Sequence, residues 1–207
     1  MNGENALIRI VDDDDDVRSA LAAMLECEGF DVKSFADGKS LLNDLDRERA
    51  GCVLLDVRMP GLSGPEVQAA LLEKRVALPV IFLTSYAEID VAVTTLKRGA
   101  EDFLIKPVAP DRLLTVVREA LAADEKRRAA SRDEAALSAA LARLTERPRT
   151  VLRLMLQHLN DAAIAERLGL SERTVQVYRQ QVYKAFEVHS LKAFERLAPE
   201  IEKLSGI

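Results

Sequence analysis

What this 207-residue chain lacks narrows its reading first. Cysteine is nearly absent: Cys27 and Cys52 are too few for a disulfide framework, and their spacing suits no metal site. Both are expected as reduced, buried thiols. No apolar run approaches the roughly 18 residues that a membrane-spanning helix needs. The N-terminal stretch also lacks the basic, apolar and small-residue order of a secretory signal. A cytoplasmic chain with no membrane partner is the expectation. Internal repeats and low-complexity tracts are missing apart from the acidic run Asp12–Asp16. With 48% hydrophobic and 30% charged residues, the composition excludes disordered and fibrous classes.

Charge is present but unevenly spread. Residues 1–123 carry 14 Lys+Arg against 22 Asp+Glu, whereas residues 124–207 carry 15 against 12. An acidic part joined to a basic part predicts two domains with different partners, the second suited to a polyanion.

In the acidic part, short apolar runs at Ala6–Val11, Val32–Phe35, Cys52–Leu55, Val80–Leu83 and Phe103–Ile105 read as buried, unalternating strands. Helical patterns follow them at Val17–Glu28, Lys39–Arg47, Pro65–Arg75, Ile89–Arg98 and Asp111–Ala122. Gly29 and Gly99 mark helix ends and Pro65 a helix start. Five βα units predict an α/β domain: a parallel sheet with helices on both faces, where ligands sit outside the carboxyl ends of the strands. Neither proline nor glycine occurs from Asp111 to about Ala142, so the last helix is expected to continue as a connector. Leu113, Val116, Ala120, Ala123, Ala130, Leu137, Leu141 and Leu144 share a heptad seam that Arg127 and Glu134 interrupt. That seam fits a solvated helix or a dimeric coiled coil. Beyond it, Thr145–Leu159, Ala162–Leu168 and Glu172–Phe186 read as short helices. A fourth starts near Ser190 and is ended or bent by Pro199.

The strand ends carry the chemistry. Val11-Asp12-Asp13, Leu55-Asp56, Leu83-Thr84 and Ile105-Lys106 all fall at one rim of the sheet. Crowded carboxylates repel one another and invite a hard cation; oxygen donors with retained water favour Mg²⁺. Beside Asp56, such a cation would neutralise an incoming phosphoryl group whose other oxygens Thr84 and Lys106 could hold. Asp14, Asp15 and Asp16 read instead as a helix N-terminus.

At these residues residues 1–122 resemble the receiver domain of bacterial two-component response regulators. The resemblance rests on Val11-Asp12-Asp13, Leu55 to Gly61, Thr84-Ser85-Tyr86-Ala87 and Lys106-Pro107 in the family's order. It implies a flavodoxin-like (βα)5 fold with Asp56 as phosphoacceptor. It also implies Mg²⁺ on Asp13, Asp56 and the Arg58 backbone carbonyl, with Asp12 acting through water. Phe103 matches the aromatic switch position coupled to Thr84, and is equally a core aromatic. The implied two-state surface is the fourth helix and fifth strand.

In the basic part, Gly169-Leu170-Ser171 joins two helices as a helix-turn-helix. Val175, Tyr178, Val182 and Phe186 form one buried face of the second helix; Thr174, Gln176, Val177, Gln180, Tyr183 and Lys184 lie opposite. A glutamine-rich face suits the major groove, although a protein-interaction bundle has the same geometry. Leu144-Thr145-Glu146-Arg147, Ile164 to Ser171 and Arg173-Thr174-Val175 with Lys184 resemble the LuxR-type DNA-binding domain. With the receiver, the chain resembles a NarL/FixJ-family transcription factor. That resemblance implies DNA contacts at Thr174, Gln176, Val177, Gln180 and Lys184, and a phosphate contact at Arg179. Pro148, Asp161-Ala162-Ala163, Gln176 and Tyr178 depart from the family pattern.

The expected organisation is a receiver over 1–122, a long helical linker over 123–143 and an all-α helix-turn-helix domain over 144–207. The expected partners are a sensor histidine kinase, double-stranded promoter DNA, RNA polymerase, and a second copy upon phosphorylation. An aspartyl-phosphate phosphatase would want an acid two residues after Asp56, where Arg58 stands, so no enzyme beyond phosphoryl acceptance is expected. An adaptor whose helical domain binds protein is the alternative to a DNA binder.

Overall fold

A computed structural model describes residues 6–84 and 99–205. The expected helix Ile89–Arg98 and the motif residues Ser85, Tyr86 and Ala87 lie outside the described residues. The chain divides into two compact units between Arg128 and Ala129.

The first unit holds strands β1 (Leu7–Val11), β2 (Asp31–Phe35), β3 (Gly51–Asp56), β4 (Val80–Thr84) and β5 (Asp102–Ile105). All pair in parallel in the order β2-β1-β3-β4-β5, the flavodoxin-like arrangement whose direction of winding reverses between β1 and β3. Helices α1 (Asp15–Cys27), α2 (Gly38–Asn43), α3 (Gly64–Glu73) and the beginning of α4 (Pro110–Arg143) cover it. Side chains alternate across the sheet. Ile8, Ile10, Cys52, Leu54, Ile81 and Leu83 pack with Leu21 and Leu25 of α1 and with Leu113, Val116 and Val117 of α4. Val11, Val53, Leu55 and Phe82 pack with Leu41 of α2 and with Val67 and Leu71 of α3.

Full burial along the strand holds for β1, β3 and β4 but not for β5, where only Leu104 is fully buried, nor for β2, which exposes Asp31, Lys33 and Ser34. The reason is position: β2 is an edge, with a neighbour on one side only. Cys52 is buried, but Cys27, at the last turn of α1, is exposed. Helix α2 stops at Asn43, short of the expected Arg47. The following loop is held from two directions. Arg9, a fully buried guanidinium in β1, donates to the carbonyls of Leu7 and Asp46, both at 3.2 Å. Arg128 of α4 donates to the carbonyls of Arg47, Glu48 and Arg49. Between these lies the buried Asp124, whose carboxylate accepts from the Gly51 amide at 2.9 Å and from Arg128 Nε at 2.8 Å.

The second unit contains the end of α4 with α5 (Glu146–Leu156), α6 (Asp161–Leu168), α7 (Glu172–Ala185) and α8 (Leu191–Ser205). Its core gathers Ala140, Leu144, Val151, Leu152, Ile164, Val175, Val182, Phe186, Phe194 and Ile201. Asn160 caps α6 by accepting from the Ala163 amide, and Ser171 caps α7 by accepting from Thr174. Gly169 ends α6 at φ 65°, in the left-handed region that costs glycine little. Pro148, in the first turn of α5, is buried and removes no helical hydrogen bond there. Helix α8 continues through Pro199 to Ser205 rather than ending at it. Tyr183 is not a free surface residue: it packs against this core, its ring centroid 5.9 Å from that of Phe194.

Both ends of the heptad seam are occupied within the chain. Leu113, Val116 and Ala120 belong to the first core, Leu137, Leu141 and Leu144 to the second. Only the exposed middle, residues 130–136, faces solvent continuously.

Candidate functional sites

The parallel register brings Val11, Leu55 and Asp56, Leu83 and Thr84, and Ile105 to one rim of the sheet. Asp12 and Asp13 follow β1 directly at that rim. Asp12 is fully buried; its carboxylate accepts from the Asp14 amide at 3.0 Å and from Lys106 Nζ at 2.6 Å. Asp56, at the end of β3, is 6% exposed. It accepts from the Arg58 amide at 2.7 Å and from the same Lys106 ammonium. One ammonium thus bridges two buried carboxylates from different strands. Lys106 is held in place because its amide donates to the Thr84 carbonyl at 2.9 Å, where β4 and β5 end side by side.

Burial pushes the Asp56 carboxyl above its ordinary range, the Lys106 hydrogen bond and charge pull it back, and the Asp12 carboxylate adds to the upward push. Burial alone would lower Lys106. Its bonds to Asp12 and Asp56 outweigh that effect and leave it raised, so the ammonium stays charged. Thr84 is fully buried at the end of β4, and Phe103 of β5 is half-buried against the α2 and α3 side of the core. Asp13 is exposed beside this group. Among the described residues no three His, Cys, Asp or Glu side chains are gathered closely enough to hold a metal unaided.

Local chemistry shapes the rim. Asp14 caps α1, its carboxylate accepting from the Asp16 and Val17 amides, as read for the acidic run. Arg18, a turn into α1, donates to the Asp12 carbonyl at 2.6 Å; the one sign of it in the sequence is a cation one helical turn after an acidic run. Gly64 opens α3 next to the site, where a Cβ would lie 2.3 Å from the Asp56 carbonyl oxygen. Only glycine lets that helix start so close to the β3 end. Glu66 accepts from both the amide and hydroxyl of Ser63, fixing the first turn.

In the second unit, Gln176, Val177, Gln180 and Lys184 are exposed along one side of α7, and Thr174 is half-buried near its start. Arg173, Gln176, Val177 and Gln180 line a shallow, open concavity. Arg173 joins the residues expected on this face, and its spacing to Gln176, Val177 and Gln180 is the signal in the sequence that points to it. Arg179 stands apart: its guanidinium is bonded to Asp161 and to the Tyr183 hydroxyl.

Residues 8–118 match the family described as response regulator receiver domain, and residues 142–198 match that of bacterial regulatory proteins, luxR family. The chain is 35% identical over 202 residues to the response regulator protein TmoT of Ectopseudomonas mendocina, covering 98% of this chain and 92% of that one. It is 34% identical over 194 residues to the transcriptional regulatory protein FixJ of Bradyrhizobium diazoefficiens, covering 92% and 93%. Among solved structures, the response regulator StyR aligns with a TM-score of 0.86 at 34% identity over 96% of this chain and 99% of that one. The buried carboxylates bridged by a lysine at the rim of a 2-1-3-4-5 sheet, and the helix-turn-helix that follows, thus have relatives along nearly their whole length. The chain belongs to the two-component response regulators of the NarL/FixJ type, a receiver domain joined to a LuxR-type helix-turn-helix domain. It is a transcription factor of a two-component system rather than a classical enzyme. Its receiver implies a histidine kinase partner and its LuxR-type domain implies DNA.

Proposed function

We propose that Asp56 accepts a phosphoryl group from a sensor histidine kinase and that this modification governs promoter binding by α7. The observation that carries the reading is the convergence of Asp12, Asp56 and Lys106, with the buried Asp56 already paired to the cation that would meet a phosphoryl oxygen. Turning the Asp56 carboxylate into an acyl phosphate removes one of the two carboxylate partners of Lys106, which keeps Asp12 and turns its other bond to the new oxygens. Thr84 and Lys106 hold the phosphoryl group, and Phe103 is the switch ring that responds when Thr84 shifts.

The donor set fits Mg²⁺. Asp56, Asp13 and the Arg58 carbonyl are hard oxygens, Asp12 would act through water, and Mg²⁺ keeps several waters of its own, so few protein ligands suffice. When bound, the ion supplies neutralising charge for the transferred group. Asp56 is the nucleophile, and Lys106 and Thr84 orient what it receives.

The working division is a receiver over 1–122, a connector over 123–143 and a DNA-binding domain over 144–207. Thr174, Gln176, Val177, Gln180 and Lys184 of α7 face DNA, with Gln176 and Gln180 reading bases. Phosphorylation brings two cytoplasmic copies together on paired half-sites, where linkage raises effective concentration, and the dimer engages RNA polymerase. The chain's own cores occupy the ends of the α4 seam, which favours dimerisation by a receiver surface over a connector coiled coil.

A small phosphodonor with Mg²⁺ tests the site. Wild type takes up acid- and base-labile phosphate on Asp56, and Asp56→Asn does not. Normal uptake by Asp56→Asn overturns the assignment.

A further inference from the structure

The arginine that the family pattern puts on the DNA backbone is occupied inside the domain. Arg179 Nη1 is bonded to the carboxylate of Asp161, the first residue of α6. Its Nε donates to the Tyr183 hydroxyl at 3.3 Å, and the guanidinium lies 5.9 Å from the centre of that ring. The Tyr183 ring then rests on Phe194 of α8, which is 2% exposed. Both members of the ion pair are largely covered, at 18% exposure for Arg179 and 23% for Asp161.

Helix phase agrees. At about 100° per residue, Arg179 lies about 40° from the centre of the buried stripe of Val175, Val182 and Phe186 and about 80° from the midpoint of Gln176 and Gln180. Position in the motif explains what the pair does. Helices α6 and α7 are joined covalently by the turn at Gly169-Leu170-Ser171, at the C-terminal end of α6. Asp161 is at the other end of α6. The pair therefore ties the helices at a second point, remote from the turn, and two fixed points set a crossing angle that one turn leaves free.

We propose that Arg179 is a positioning residue: with Asp161 it fixes the angle at which α7 is presented, and it does not hold a DNA phosphate. The inference rests on α7 being the DNA-reading helix. The Asp161 carboxylate gives this chain a full charge with which to hold the arginine.

The two roles give opposite signs for one substitution. If Arg179 held phosphate, Asp161→Asn would release it from competition and tighten binding. As a positioning pair, Asp161→Asn weakens binding. The test uses the full-length protein with mixed-sequence duplex DNA, measuring affinity against salt for wild type, Asp161→Asn, Arg179→Gln and the double variant. Each single variant should lose about tenfold in affinity, the worth of one charge-assisted hydrogen bond, and the double should lose no more than either. The slope of log affinity against log salt should stay at the wild-type value in Arg179→Gln, whereas loss of one phosphate contact lowers it by about 0.9. A lowered slope, or tighter binding by Asp161→Asn, overturns the proposal. Thermal unfolding of the same four proteins separates this from the DNA reading. If wild type binds no duplex, that reading fails, and the unfolding cycle still decides the pair: coupled losses keep the strut and additive ones refute it.

Discussion

Asp124→Ala strikes at the point where α4 is fastened to the receiver. Both carboxylate oxygens of Asp124 are used: one accepts from the Gly51 amide at 2.9 Å and from Arg128 Nε at 2.8 Å, the other from Arg127. Truncation leaves the Gly51 amide at the start of β3 buried without that acceptor, which costs about 1–3 kcal/mol. Arg128 loses its carboxylate but keeps the three loop carbonyls. Arg127, with a side chain 37% exposed, contributes at most about 1 kcal/mol because water screens it. These two terms give about 1–4 kcal/mol, and the lost Arg128 bond brings the total to the roughly 3–5 kcal/mol usual for removing one partner of a buried ion pair. Against the roughly 5–15 kcal/mol that holds a domain together, this is a large fraction. Asp124→Asn keeps an acceptor for Gly51 and should lose less, about 1–3 kcal/mol. Urea denaturation followed by circular dichroism measures the loss, and hydrogen exchange at the Gly51 amide locates it. An Asp124→Ala protein within about 1 kcal/mol of wild type, with Gly51 still protected, would show that this network is surface ornament and the reasoning wrong.

Four other outcomes are expected. Alanine at Gln176 or Gln180 should relax base preference at one position and cost about 1–3 kcal/mol on the specific site, with little change on other DNA; a uniform loss would place these residues on the backbone instead. An aromatic disulfide reagent should modify Cys27 in the native protein and Cys52 only after unfolding, since burial pushes the Cys52 thiol up to about 12. Asp37 is held below its ordinary carboxyl value by the Ser40 amide and hydroxyl. Its stabilising contribution is therefore present above that ordinary value and lost as pH falls through the lowered one, so the urea midpoints of wild type and Asp37→Asn should converge in acid. Sedimentation of the full-length protein should show a monomer that dimerises with an aspartyl-phosphate mimic; a dimer indifferent to the mimic would point to the connector.

Much of the molecule was legible in the chain because its signals are local. Apolar runs ending in Asp12, Asp56, Thr84 and Lys106, spaced by helical patterns, define parallel βα units, and parallel strands must present their ends at one rim. The caps at Asp14, Ser63 and Ser171 and the left-handed Gly169 act over a few residues, so sequence alone determines them. What depended on tertiary structure was which side chain met which. The contacts Arg179–Asp161, Arg128–Glu48 and Lys106–Asp12 join residues 18, 80 and 94 positions apart, and no helical or strand period encodes such distances. Packing decided that Cys27 is exposed while Cys52 is buried, that Arg9 is enclosed in a strand that reads as apolar, and that Tyr183 turns toward Phe194. The α4 seam shows the difference most directly. Its heptad spacing is a property of the chain, but which neighbour a leucine buries its surface against is decided by the tertiary packing. Here Leu113 and Leu144 are buried in the chain's own two cores.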